Sequence, residues 1–154
     1  MTVQNFEDLR IYQQSCDIVD MVYKITSFGD FKYDTRFVQQ IRASSGSISD
    51  NIAEGFERQG NKEFINFLYI AKGSCGELRS QVCRARRVGF IDDTTFEKMY
   101  DACKTLSIGI LRMINKLKIA DVKGSRYAQP SNSQTFKPSS YQTFKPSNSQ
   151  TSQL

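Results

Sequence analysis

Residues 64–70 read Phe-Ile-Asn-Phe-Leu-Tyr-Ile, six large hydrophobes interrupted only by Asn66. The segment follows a break at Gln59-Gly-Asn61 and leads into Ala71, Cys75, Leu78, Val82 and Ala85, spaced by three and four residues. That period specifies a helix against a core. A helix that packs on one side within its own bundle hides about three positions in seven. Six in seven exceeds this, and a second copy of the chain is the simplest cover for the surplus. Phe64, Ile65, Phe67, Leu68, Tyr69 and Ile70 are therefore expected at an oligomer interface, with Ile65 and Tyr69 facing outward.

Three further helices surround this one. The first is expected over residues 7–26, with Leu9, Tyr12, Cys16, Val19 and Tyr23 as its core stripe and Ile11, Ile18, Val22 and Ile25 as a second apolar line. The second, over residues 34–58, carries Phe37, Ile41, Ile48, Ile52 and Phe56. Its centre, Ala43-Ser-Ser-Gly-Ser47, is built of small side chains that let a neighbour approach closely. Gly60 is the expected N-cap of the third helix, with Glu63 reaching back to its N–H. Gly89 suits the left-handed position after its last turn. The fourth runs from Asp92 or Asp93 to about residue 119, through Phe96, Met99, Cys103, Leu106, Ile110, Met113 and Leu117. Four helices with short connections make an all-α, antiparallel up-down-up-down bundle over residues 1–123.

Residues 124–154 differ in kind. All three prolines fall here, and an eight-residue unit repeats from Pro130, Pro138 and Pro146. Units this polar cannot bury enough surface to offset ordering entropy, so a disordered tail is expected. The tail also holds much of the net charge of +5: residues 1–120 carry 17 basic and 15 acidic side chains and are nearly neutral.

Composition removes most chemistries. Histidine is absent, which excludes Ser-His-Asp and Cys-His catalysis and imidazole-based metal sites. Cys16, Cys75, Cys83 and Cys103 form no CxxC pair and read as small core or near-core residues. Glu54 and Glu57 have no nucleophile or metal ligand beside them in the pattern. The chain is expected to be no enzyme and to need no cofactor or metal. No run of about 18 apolar residues suggests a membrane span, and residues 1–8 are too polar for a signal peptide. A cytoplasmic location is the expectation.

Several short segments resemble the four-helix bundle family encoded within intervening sequences of bacterial 23S ribosomal RNA genes. They are Phe6-Glu-Asp-Leu-Arg-Ile-Tyr12, Gln40-Ile-Arg42, Ser47-Ile48, Asn51-Ile-Ala-Glu-Gly-Phe56, Lys62-Glu-Phe-Ile65, Phe67-Leu-Tyr-Ile-Ala71, Gly73-Ser74 and Glu77-Leu78, within residues 6–119. The chain departs from the family in having Ser49 where proline is frequent, and in its repeat tail. The resemblance implies a homopentamer. A related branch, the accessory proteins of diversity-generating retroelements, implies RNA or DNA backbone, or a reverse transcriptase, as a partner.

Two polar groups stand out. Asn51, Glu54 and Arg58 lie at i, i+3 and i+7 on the second helix. They suit either a local Glu54–Arg58 pair or, the reading favoured because the resemblance falls on them, a partly buried network with Arg42 and Glu77 that fixes register or subunit contact. Arg79, Arg84, Arg86 and Arg87 form the basic cluster of the folded part. Each suits a solvated, dipole-compensating helix end. Five-fold symmetry, however, would turn the cluster into a positive band able to hold phosphate without reading sequence.

Overall fold

A computed structural model describes residues 4–127 except Gln59, with side chains as far as residue 120. Its helices are α1 (Arg10–Thr26), α2 (Thr35–Glu57), α3 (Asn61–Arg87) and α4 (Asp93–Tyr127). Short 3₁₀ turns at Phe6–Asp8 and Asp30–Tyr33 precede α1 and α2. Each helix packs on its neighbours in the chain and α4 closes the ring against α1; among the described residues the diagonal helices share no close backbone approach. This is the expected antiparallel up-down-up-down bundle. The seam between α1 and α4 is the thinnest of the four. α4 continues past Lys123-Gly124, since a single helical glycine costs only about 1 kcal/mol. The repeat segment expected to be disordered lies outside the described residues. Among the described residues no helix is long and apolar enough to cross a membrane.

Local chemistry sets the helix ends. The Asp34 carboxylate accepts from the Phe37 N–H at 3.0 Å, and that of Asp92 from the Thr95 N–H at 2.7 Å, capping α2 and α4. Gly60 caps α3 in extended geometry, but no side-chain bond closes a box with Glu63. After α3, Gly89 takes a φ of 79° while its N–H and that of Phe90 reach back to Arg86 and Ala85. Beyond these turns Phe31 stacks on Phe90 at 4.7 Å and leans on Phe37 at 5.0 Å, closing that end of the bundle.

The core face of α1 follows the second apolar line expected, Ile11, Ile18 and Val22, rather than the first stripe, of which only Leu9 is buried. Ile11, Ser15, Ile18, Val22 and Thr26 face inward, whereas Tyr12, Cys16 and Val19 are half-buried and Tyr23 is exposed. The hydroxyls explain the difference. Ser15 donates to the Tyr12 carbonyl at 2.6 Å and Thr26 to that of Val22 at 2.8 Å, so both enter the core with their donors satisfied.

The run at residues 64–70 is also absorbed further than expected. Phe64, Ile65 and Leu68 are buried within the protomer, Ile65 at 9% exposure, so Ile65 does not face outward. Phe64 meets Phe56 edge-on at 5.9 Å across the α2–α3 connection. Phe67 is half-buried, and only Tyr69 (47%) and Ile70 (52%) stand out. Cys75 and Cys103 meet in the core, where the Cys75 thiol donates to the Cys103 carbonyl at 3.1 Å. Contact with Cys75 and burial push the Cys103 thiol well up.

Candidate functional site

The α2–α3 seam gives the Asn51-Ile-Ala-Glu-Gly55 segment its physical meaning. A β-carbon on Gly55 would lie 2.5 Å from Phe67 Cβ and 3.0 Å from Phe64 Cδ2, so only glycine lets the helices approach there. One turn away the Asn51 amide donates to the Ser47 carbonyl at 2.6 Å and to its hydroxyl at 3.1 Å. Ser47 in turn shares a 2.9 Å hydrogen bond with Ser74 of α3. The Gln81 amide crosses the same seam to Ser44 at 2.9 Å.

The five residues expected to form one network are not brought together. Arg42 turns to α1, donating to Thr26 Oγ1 at 2.8 Å and Ser27 Oγ at 3.2 Å while lying 4.4 Å over the Tyr23 ring. Glu54 and Arg58 form an exposed i,i+4 pair at 2.6 Å, and Glu77 accepts from Gln81 at 3.1 Å. The local reading holds for Glu54 and Arg58. The long-range linkage of Asn51 runs through Ser47 and Ser74 instead. The spacing placed Asn51, Glu54 and Arg58 on one helix side but carried no information about which neighbour each would reach.

The arginine cluster sits at the α3 C-terminal end and splits between two sides. Arg84 leans toward α2, 3.9 Å over the Phe37 ring and donating to Gln40 at 3.1 Å. Arg86 and Arg79 lean toward α4, over Phe96 at 4.5 Å and Tyr100 at 5.7 Å. Arg86 also pairs with Asp93 at 2.7 Å, seven residues on across the α3–α4 turn. Arg84, Arg86 and Arg87 are exposed.

Part of the exposed apolar surface is on α3 and α4, while Tyr23, Phe28, Tyr33 and Val88 are exposed elsewhere. Lys118 Nζ donates to the Tyr69 hydroxyl at 2.8 Å with its ammonium 5.3 Å from the ring centre. Leu111, seven residues before Lys118, shares that side of α4 and is exposed, as are Ile108 and Ile119.

A further site escaped the sequence reading. The thin α1–α4 seam opens into a groove of about 450 Å³ whose lining includes Arg10, Arg112 and Lys116 and no carboxylate. Its signal was present: residues 102–120 carry Lys104, Arg112, Lys116 and Lys118 without one acid. The second half of the site, on α1, becomes visible only when the bundle closes. Among the described residues no cluster of Cys, Asp and Glu has the makings of a metal site.

A family model described as 23S rRNA-intervening sequence protein matches residues 7–116. The fold resembles a crystal structure of a protein of unknown function from the S23 ribosomal protein family of Bacteroides thetaiotaomicron. The TM-score is 0.62 at 21% identity, over 68% of this chain and 97% of that one. No curated protein matches the chain.

Proposed function

The chain belongs to the 23S rRNA-intervening sequence protein family, and from that premise we propose that it is a non-enzymatic, cytoplasmic homo-oligomeric scaffold that holds RNA or DNA backbone. The observation that carries this reading is the apolar surface left on α3 and α4, where Tyr69, Ile70, Leu111 and Ile119 are all exposed. Four large hydrophobes on two adjacent helices mark a surface that association would cover. The number of subunits, five, comes from the family resemblance.

In a closed ring the arginine-rich end of α3 recurs with every protomer, so a modest patch becomes a band of positive potential. Its contacts would be to phosphate, with affinity falling steeply as salt rises. A second reading, a protein-docking scaffold for a partner such as a reverse transcriptase, draws support from the arginines stacked on Phe37, Phe96 and Tyr100. Arginine and aromatic groups are enriched at protein interfaces.

Filter binding of RNA across a salt series separates the two. Retention at low salt, lost in an Arg84→Gln, Arg86→Gln, Arg87→Gln variant, supports backbone binding. No retention even near ~50 mM salt, where phosphate contacts are strong, leaves the docking reading in its place.

A further inference from the structure

The α1–α4 groove has two chemically different ends. Antiparallel packing places Ile11 against Gly109, where a β-carbon would lie 3.2 Å from Ile11 Cγ2. From that level α1 continues to Gln14, whose Oε1 reaches back to 3.7 Å from the same β-carbon position, while α4 runs back to Thr105, so both neutral hydrogen-bonding side chains lie on one side of the groove's middle. In the opposite direction lie Arg10, Arg112 and Lys116. The floor between the ends is apolar: Ile11 is buried, Met113 half-buried and Ile108 exposed.

Charge and spacing narrow the occupant. Arg112 and Lys116 are one turn apart, about 6 Å along the axis, and Arg10 approaches from the facing helix. Neither ion pair among the described residues involves these three cations. Three positive groups with no carboxylate in the lining suit adjacent phosphates, which arginine engages through charge-assisted hydrogen bonds. The apolar floor suits a flat ring, and Gln14 and Thr105 offer both donors and acceptors to its edge. A groove of about 450 Å³ falls within the range of small-ligand sites.

We propose that the α1–α4 groove binds a nucleotide, with phosphates at Arg10, Arg112 and Lys116 and the base over Ile108 and Met113 toward Gln14 and Thr105. The ligand is either a free nucleotide or one unit of a single strand, which present the same chemistry. The site stands apart from the arginine-rich end of α3 and does not rest on any role for it.

Calorimetric titration of the full chain with ADP and with pyrophosphate, at low salt, tests the assignment. ADP should bind saturably, once per protomer. Arg112→Gln with Lys116→Gln should weaken both ligands by about tenfold or more, since both lose charge-assisted contacts. Ile108→Trp, which fills the floor from an exposed position, should weaken ADP and leave pyrophosphate unchanged. The Arg84→Gln, Arg86→Gln, Arg87→Gln variant should bind ADP as the wild type does. Competition with a twelve-residue oligothymidylate then identifies the source: displacement of ADP points to a strand, and its failure to a free nucleotide. Absence of saturable ADP binding, wild-type affinity in the Arg112→Gln, Lys116→Gln variant, or indifference of ADP to Ile108→Trp would each overturn the proposal.

Discussion

Replacing Gly55 with alanine sets two effects of known sign against each other. Alanine is favoured over glycine in a helix by about 1 kcal/mol, so an unopposed substitution would stabilise α2. At Gly55 the new methyl would meet Phe67 Cβ at 2.5 Å, Phe64 Cδ2 at 3.0 Å and Phe67 Cγ at 3.2 Å. The first of these atoms is bonded to the α3 backbone, so no side-chain rotation relieves it and the helices must separate. Overpacking of this kind costs about 1–3 kcal/mol, and displacement of α3 along its seam with Ser47 and Ser74 points to the upper end. The net expectation is a loss of about 1–2 kcal/mol. For a chain of this length that lowers Tm by roughly 2–8 °C.

Gly76→Ala is the internal control, because a β-carbon there meets nothing within 4 Å. It should raise stability by up to about 1 kcal/mol. Thermal melts followed by circular dichroism, at one fixed protein concentration, would read both. A Gly55→Ala protein as stable as the wild type or more so would refute the close-packing account of the Asn51-Ile-Ala-Glu-Gly55 segment.

Ser74→Ala and Asn51→Ala should each cost about 1 kcal/mol, and the double variant less than their sum, because both act through Ser47; additive losses in urea titrations would contradict a shared linkage. Hydrogen bonds from Thr95 hold the Asp92 carboxyl below its usual range. Its stabilising effect is therefore present above the unfolded carboxylate value, near pH 4, and is lost as pH falls through the lower folded value. Asp92→Ala should accordingly destabilise at neutral pH and show a shallower loss in acid, measured as Tm against pH. Thiol labelling of the native protein should modify Cys16 and Cys83 before Cys75 and Cys103, which are buried; equal rates would mean the α3–α4 core opens readily. Removing residues 129–154 should leave Tm unchanged, since the repeats are too polar to form a core; a fall of several degrees would mean that they pack on the bundle.

The α3 seam from Phe64 to Ala85 was legible because its inward positions are almost all hydrophobic, so period and burial coincide. On α1 they do not coincide. Ser15 and Thr26 occupy inward positions by bonding to their own helix, so hydropathy marked Ile11, Ile18 and Val22 only as a second line and gave the main stripe to Tyr12, Cys16 and Val19. At residues 64–70 the count of hydrophobes was right, but Phe64 and Ile65 both turn inward at the α2–α3 connection, so the outward set shrinks to Tyr69 and Ile70.

Long-range polar partners were illegible for a different reason. Spacing fixes the side of a helix, whereas the choice of Thr26 for Arg42, or Ser74 for Ser47, depends on how neighbouring helices slide past one another. The α1–α4 groove needs residues some hundred positions apart, Arg10 with Arg112 and Lys116, and becomes visible only once the ring of helices closes.

The central claim, that the apolar surface on α3 and α4 is an interface between copies, is tested most directly by light scattering on the wild type and on Tyr69→Glu. Tyr69 is 47% exposed, so a carboxylate there leaves the protomer fold intact. In a dry interface the same charge costs several kcal/mol. The account predicts a wild-type particle of five chains at micromolar concentration, and a smaller particle of unchanged helicity for the variant. A monomeric wild type, or a variant that keeps the full mass, would contradict it.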